Sequence, residues 1–173
     1  MNVLLSKKNQ FKNKSNYSNL AKIFHWGYVI LFIYGVAKQV ENINQLEDSF
    51  ILRFEIIFAL IFLILLIVRF AYMSKTQKSS LPLNTPKSQK ILAKIVHMTM
   101  YLLLAGVAMS GLTIGLIFWL NLENDLLINI IIFIHELIVN LLYWVMGVHI
   151  LAAIYHRLKK DGVWSSMVPL FKE

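Results

Sequence analysis

Four long apolar stretches constrain this chain more than any other feature. They cover residues 23–40, 50–72, 91–120 and 126–157. A helix needs about 20 residues to cross a hydrocarbon core about 30 Å thick, and each stretch approaches or exceeds that length. The first stretch is the shortest, but an odd number of spans would break the charge pattern described below. The sequence therefore predicts an all-α integral membrane protein, a bundle of four transmembrane helices.

The composition also indicates that lipid is the main solvent. Hydrophobic residues make up 58% of the chain and charged residues only 15%, and the mean hydropathy is +0.63. A soluble domain of this size needs more polar residues to cover its surface. Cysteine is absent, which excludes a disulfide framework, a thiolate metal site and a cysteine nucleophile.

The charges between the apolar stretches predict the topology. Basic residues concentrate in the N-terminal tail, in the loop at 73–94 and in the C-terminal tail, whereas the other two loops hold five acids against two bases. The positive-inside rule then places both termini in the cytoplasm. This placement explains the net charge of +8 without a nucleic-acid partner. Residues 1–20 are predicted to be a flexible basic cytoplasmic tail with no cleaved signal peptide, and 21–173 the membrane domain.

All five histidines lie within or at the ends of the apolar stretches. They are His25, His97, His135, His149 and His156. Because an ionisable side chain at membrane depth is costly, it is a functional-site hypothesis by default. A single such histidine is explained equally well by an interhelical hydrogen bond, but five in four helices favour ligation of a cofactor.

The spacing of two of these histidines points to haem. His135 and His149 are 14 residues apart, which places them within about 40° of one helix face and about 21 Å apart along the axis. Two haems stacked in a four-helix bundle with bis-histidine ligation need this arrangement. His25 lies at the depth of His149, so these two can share one haem. His135 would need a partner on the second helix, where the sequence has Glu55 and no histidine.

The order and spacing of short motifs resemble the bacterial cytochrome b561 family from the first helix to the C-terminus. These motifs are Ile23-Phe24-His25-Trp26, Val68-Arg69-Phe70, His97 with Tyr101-Leu102-Leu103, Ser110-Gly111, His135-Glu136, His149, His156, Lys160-Asp161-Gly162 and Met167-Val168-Pro169. The resemblance implies a multi-pass protein of the bacterial cytoplasmic (inner) membrane. It further implies a di-haem electron carrier that exchanges electrons with ubiquinone.

The resemblance also implies a ligand set, and this chain departs from it at one position. The family's haem ligands fall on His25, position 55, His135 and His149, but position 55 holds Glu55, and Ala59 stands where the family has glycine. Glutamate is a poor axial ligand for a low-spin haem. The second site could hold no haem, a five-coordinate haem on His135 or a His/Glu haem, and Glu55 could instead hydrogen-bond to His135. We expect one haem b on His25 and His149, and none or a weakly held one at His135.

Other polar residues are expected at the cytoplasmic end. Arg69 resembles the family arginine that neutralises haem propionates, with an interfacial snorkelling arginine as the alternative. The expected quinone site consists of His97, His156 and Arg157. Imidazole can donate a hydrogen bond to a quinone oxygen and can pass protons at neutral pH. An interhelical hydrogen bond is the alternative for His97. Three tryptophans are predicted to be belt residues at the membrane surfaces: Trp26, Trp119 and Trp164.

The expected function is electron transfer through haem b to or from quinone, with the lipid bilayer, quinone and a redox partner protein as partners. Two alternatives stay open. The chain could be a haem-binding anchor subunit for a partner dehydrogenase or hydrogenase, or a degenerate homologue that serves as a scaffold without redox activity. The sequence does not decide whether the protein is itself an oxidoreductase. Superoxide oxidation, which some family members perform, is disfavoured because the acidic outer loops would repel a small anion.

Overall fold

The computed structural model describes residues 17–122 and 124–169, and that part of the chain contains helices and no strands. Four helices are long and apolar enough to cross a membrane. They are α1 (Asn19–Ala37), α2 (Ser49–Thr76), α3 (Lys87–Trp119) and α4 (Asp125–Lys159), joined by a 3-10 helix (Ile43–Glu47) between α1 and α2 and followed by a short α5 (Val163–Met167). The predicted all-α, four-helix membrane fold is confirmed. Most of the predicted tail at 1–20 lies outside the described residues, and α1 begins within it at Asn19.

Polar side chains set the helix ends. Ser18, Asp48 and Asn124 precede α1, α2 and α4, and each accepts a hydrogen bond from a backbone N–H in the first turn of its helix. Such caps satisfy N–H groups that have no partner within the helix. α4 ends where Lys160 and then Gly162 adopt positive φ angles of 53° and 81°, which turns the chain into α5. α2, α3 and α4 extend beyond the apolar stretches because helical hydrogen bonding continues into the polar interface.

The helices pack unequally. α3 lies closely against both α2 and α4. The backbone of α1 has few close contacts with α2 and almost none with α4. A cluster of buried side chains fills the centre, consisting of Tyr28, Phe62, Leu66, Leu104, Ala108 and Leu142. The hydroxyl of Tyr28 donates to the Phe62 carbonyl over 3.0 Å, which connects α1 to α2. α1 and α4 therefore meet through side chains, as where the ring centroids of Phe32 and Tyr143 lie 6.4 Å apart.

The two ends of the bundle differ in charge. We call the end formed by residues 17–22, 73–94 and 156–169 the basic end, and the end formed by residues 38–53, 119–122 and 124–126 the acidic end. At the basic end, the hydroxyls of Ser18 and Tyr72 share a hydrogen bond of 2.9 Å. The acidic end is packed around buried Leu46, Leu52 and Ile114. The positive-inside rule predicts that the basic end faces the cytoplasm.

Candidate functional site

His25 on α1 and His149 on α4 face each other in the basic half of the bundle. Their ring centroids are 6.4 Å apart, with 57° between the ring planes. Metal–imidazole nitrogen bonds are about 2 Å long, so two nitrogens bound to one metal ion lie about 4 Å apart, with the ring centres further back. The observed separation suits this arrangement. The two histidines fit the two axial positions of a haem iron.

Arg69 on α2 supports the same site. Its Nη2 donates to Nδ1 of His25 over 3.0 Å, and its guanidinium lies 5.5 Å from the ring centroids of both Tyr28 and Tyr101. Its Nε is buried and has no hydrogen-bond partner within the described part of the chain. A buried N–H without a partner is unfavourable, and a carboxylate is the acceptor that a guanidinium binds best. This orphaned donor beside His25 fits a haem propionate.

His97 on α3 lies against the second ligand. The ring centroids of His97 and His149 are 5.0 Å apart and the planes are nearly perpendicular, at 84°. Nδ1 of His97 lies 2.6 Å from the Ala93 carbonyl, so Nδ1 carries the proton and donates it, leaving Nε2 as an acceptor. The hydrogen bond of His97 is therefore within its own helix rather than between helices.

The other two residues of the expected quinone site hold the turn into α5. Nδ1 of His156 lies 2.7 Å from Oδ2 of Asp161, and the second oxygen of Asp161 accepts from the Val163 backbone N–H over 3.2 Å. Arg157 lies over the ring of Trp164 at 5.1 Å. Among the described residues, no ring contact or hydrogen bond joins His156 to His97. His156 and His97 therefore have separate hydrogen-bond partners, although the sequence grouped them in one expected quinone site.

Trp26 has a role that the sequence did not suggest. Its indole Nε1–H donates to the Met167 carbonyl over 3.2 Å, and its ring meets the neighbouring His25 ring edge-on with centroids 5.6 Å apart. Trp26 thus connects α1, next to the haem-ligand candidate, to the end of α5. Only helix packing brings residues so distant in sequence together, which is why Trp26 resembled an ordinary belt tryptophan.

His135, the third candidate ligand, is bonded to α3. Its Nδ1 lies 2.8 Å from Oγ of Ser110, and that Oγ lies 2.7 Å from the Gly106 carbonyl. Because the serine hydroxyl has one proton and the carbonyl can only accept it, His135 Nδ1–H is the donor to Ser110. A Cβ added to Gly111 would lie 3.6 Å from Cε1 of His135, so the ring sits against the α3 backbone.

Glu55 is partly buried and forms no hydrogen bond or ion pair with other described residues. The alternative in which Glu55 forms a hydrogen bond with His135 is therefore wrong. Apolar side chains pack around this level of the bundle, and Ile56 lies so close to Gly115 that an added Cβ would be 2.7 Å from Cγ1 of Ile56. The acidic half therefore lacks the facing pair of imidazoles found in the basic half.

Comparison with known proteins identifies the family of the chain. The family model described as prokaryotic cytochrome b561 matches residues 16–170, a range that includes the five histidines and Arg69. No curated protein and no solved structure gave a match. The match spans all four long helices and the site between α1, α2 and α4. The chain therefore belongs to the prokaryotic cytochrome b561 family of membrane electron carriers with b-type haem.

Proposed function

We propose that this protein transfers electrons through a single haem b held by His25 and His149, and that it exchanges those electrons with quinone at the cytoplasmic side. The proposal rests on the position of the two imidazole rings, which face each other with centroids 6.4 Å apart. Beside them lies Arg69, whose buried Nε has no hydrogen-bond partner among the described residues. The haem supplies one-electron redox chemistry. The protein supplies ligation, orientation and a low-dielectric surrounding.

Each residue has a defined role in this proposal. His25 and His149 would hold the haem iron between them, and ligation by two imidazoles would favour electron transfer over oxygen chemistry. Arg69 binds a propionate and compensates its charge inside the membrane. The rings of Tyr28 and Tyr101 hold the guanidinium in place from α1 and α3, so that it is oriented before the cofactor binds.

A single haem is favoured by the contents of the acidic half. Glu55 offers a carboxylate in place of the second imidazole, so His135, whose Nδ1–H is held by Ser110 and whose Nε2 stays an acceptor, lacks an imidazole partner across the bundle. Ile56, the neighbour of Glu55, packs so closely against α3 that a Cβ added to Gly115 would lie 2.7 Å from Cγ1 of Ile56. A second haem would have to displace close-packed side chains, which is unfavourable. It would also be bound by the Glu55 carboxylate, a weaker ligand than imidazole.

We assign the quinone contact to His97. Its side chain is exposed at the basic half, its Nε2 is an acceptor, and it touches His149. A quinol hydroxyl that donates to this nitrogen would lie next to a haem ligand, a short path for an electron. His156 and Arg157 act from further away in this proposal, because they hold α5 beside the site.

The test is reduction of the haem by a soluble quinol, followed at the α-band in a stopped-flow instrument. His97→Ala should slow the reduction at least about tenfold while the haem content stays at the wild-type level, as expected for the loss of one hydrogen bond to a reacting group. His135→Ala, at the opposite end, is the matched control and should leave the rate unchanged. If quinol fails to reduce a haem that dithionite reduces readily, quinone is not the partner. Co-purification of a peripheral subunit would then favour the anchor-subunit alternative.

A further inference from the structure

A second site lies at the acidic end, away from the haem-ligand candidates. The start of α2, the end of α3 and the 3-10 helix line a cavity of about 330 Å³ that opens to the surface, and its polar lining includes Glu47, Ser49, Arg53 and Asn121. None of these residues has a part in the proposed electron transfer. The cavity therefore calls for its own explanation.

The cavity holds two opposite charges that do not neutralise each other. Glu47 and Arg53 both line it, yet within the described ranges no ion pair joins them. The Arg53 guanidinium lies 5.8 Å from the ring centroid of Trp119, a stacking contact that leaves its N–H groups available. The lining thus offers a forked donor that suits phosphate and, apart from it, a carboxylate that suits an ammonium group.

The surroundings favour a lipid over a soluble ligand. Leu46 and Leu52 are buried lining residues, and Phe50 and Leu120, the chain neighbours of the lining residues Ser49 and Trp119, are 78% and 54% exposed. These side chains lie at the ends of two membrane-spanning helices, where acyl chains would run along them. Trp119, exposed at the same level, is typical of the membrane–water interface.

We propose that this cavity binds the head group of a phospholipid with a primary ammonium, phosphatidylethanolamine, with the phosphate on Arg53 and the ammonium on Glu47. The acidic end also carries Glu41, Asp48 and Asp125, which disfavour a lipid with net negative charge. A choline head group has no N–H to donate to the Glu47 carboxylate. The two charges thus select a zwitterion that can donate hydrogen bonds.

Native mass spectrometry tests this on the full-length protein released from nanodiscs of equal phosphatidylethanolamine, phosphatidylcholine and phosphatidylglycerol. Wild type should retain one phosphatidylethanolamine per chain in preference to the other two. Arg53→Gln should lower that retention about tenfold through the loss of a charge-assisted contact. Glu47→Gln should remove the preference over phosphatidylcholine. Lys38→Gln, a cation of the same end outside the cavity lining, is the matched control and should change neither.

Two results would overturn the proposal. One is equal retention of the three lipids by wild type, and the other is an Arg53→Gln variant that retains phosphatidylethanolamine as wild type does. Free phosphoethanolamine at millimolar concentration should not displace the lipid, and full displacement would show that the site takes a soluble head-group compound instead. The haem spectrum of every variant should match wild type, because the cavity lies at the other end. The result is therefore independent of the haem assignment.

Discussion

Arg69 donates a hydrogen bond from Nη2 to Nδ1 of His25 over 3.0 Å. Because a guanidinium has no acceptor, Nδ1 of His25 must accept and the ring proton lies on Nε2. A histidine that binds a metal through Nε2 normally donates Nδ1–H to another group. If His25 binds the metal through Nε2, its ring proton moves to Nδ1. Nδ1 can then no longer accept the hydrogen bond from Arg69. The arginine is then free for a propionate, so ligation by His25 and propionate binding by Arg69 should be coupled.

This coupling predicts the effect of changing Arg69. Arg69→Gln should weaken haem binding about 10- to 100-fold, the cost of one or two hydrogen bonds to a charged group. Arg69→Lys should recover part of the loss, because it keeps the charge without the forked geometry. Titration of the apo-protein with hemin measures the affinities. Wild-type affinity in Arg69→Gln would show that Arg69 has no contact with the cofactor.

Asp161 is predicted to hold α5 in place. Asp161→Ala removes the bonds to His156 and to the Val163 N–H, a loss of about 1–3 kcal/mol of local stability. Hydrogen exchange of the 163–167 amides should accelerate accordingly. Lys159→Ala is the control, since its Nζ lies 4.0 Å from Asp161 on an exposed side chain, and surface pairs contribute little.

The same substitution separates two roles for His156. If His156 acts by positioning α5, Asp161→Ala should slow quinol oxidation as much as His156→Ala does. If only His156→Ala slows it, His156 contacts the quinone directly and the positioning role is wrong.

Close packing of α2 against α3 predicts a large effect at Gly115. Gly115→Ala places a Cβ 2.7 Å from Cγ1 of Ile56, and such overpacking costs about 1–3 kcal/mol. Gly147→Ala is the matched control, because nothing lies within 4 Å of its added Cβ and alanine is the better helix former by about 0.5–1 kcal/mol. Thermal unfolding in detergent should show a lower midpoint for the first and an equal or higher one for the second. A neutral Gly115→Ala would contradict the close α2–α3 contact.

Restoring the family ligand at position 55 tests why the acidic half differs. Glu55→His supplies an imidazole, but Ala59 keeps a methyl group where the resemblance to the family implies glycine, and Ile56 beside Glu55 packs closely against Gly115 of α3. We expect additional haem only when Glu55→His is combined with Ala59→Gly, which removes a methyl group from the path of the ring. Haem content per chain measures this. A gain from Glu55→His alone would show that ligand chemistry, rather than space, excludes the second haem.

The sequence predicted those features that depend on one-dimensional patterns. Length and hydropathy predicted the four helices, and matched depth predicted that His25 and His149 meet. It could not predict the partner of His135, since the Ser110 contact depends on the rotation of α3 relative to α4. Nor could it predict the Trp26–Met167 bond, which joins residues 141 positions apart. The sequence placed His97 and His156 together at the cytoplasmic end, but it could not predict that the His97 ring bonds to the Ala93 carbonyl and the His156 ring to the Asp161 carboxylate.

Haem stoichiometry tests the central claim most directly. A pyridine-haemochrome assay on purified protein should give one haem b per chain. His25→Ala and His149→Ala should each abolish the low-spin α-band, and His135→Ala should retain both the band and the single haem. A wild-type value of two haems per chain that falls to one in His135→Ala would contradict the account, as would an α-band that survives in both His25→Ala and His149→Ala.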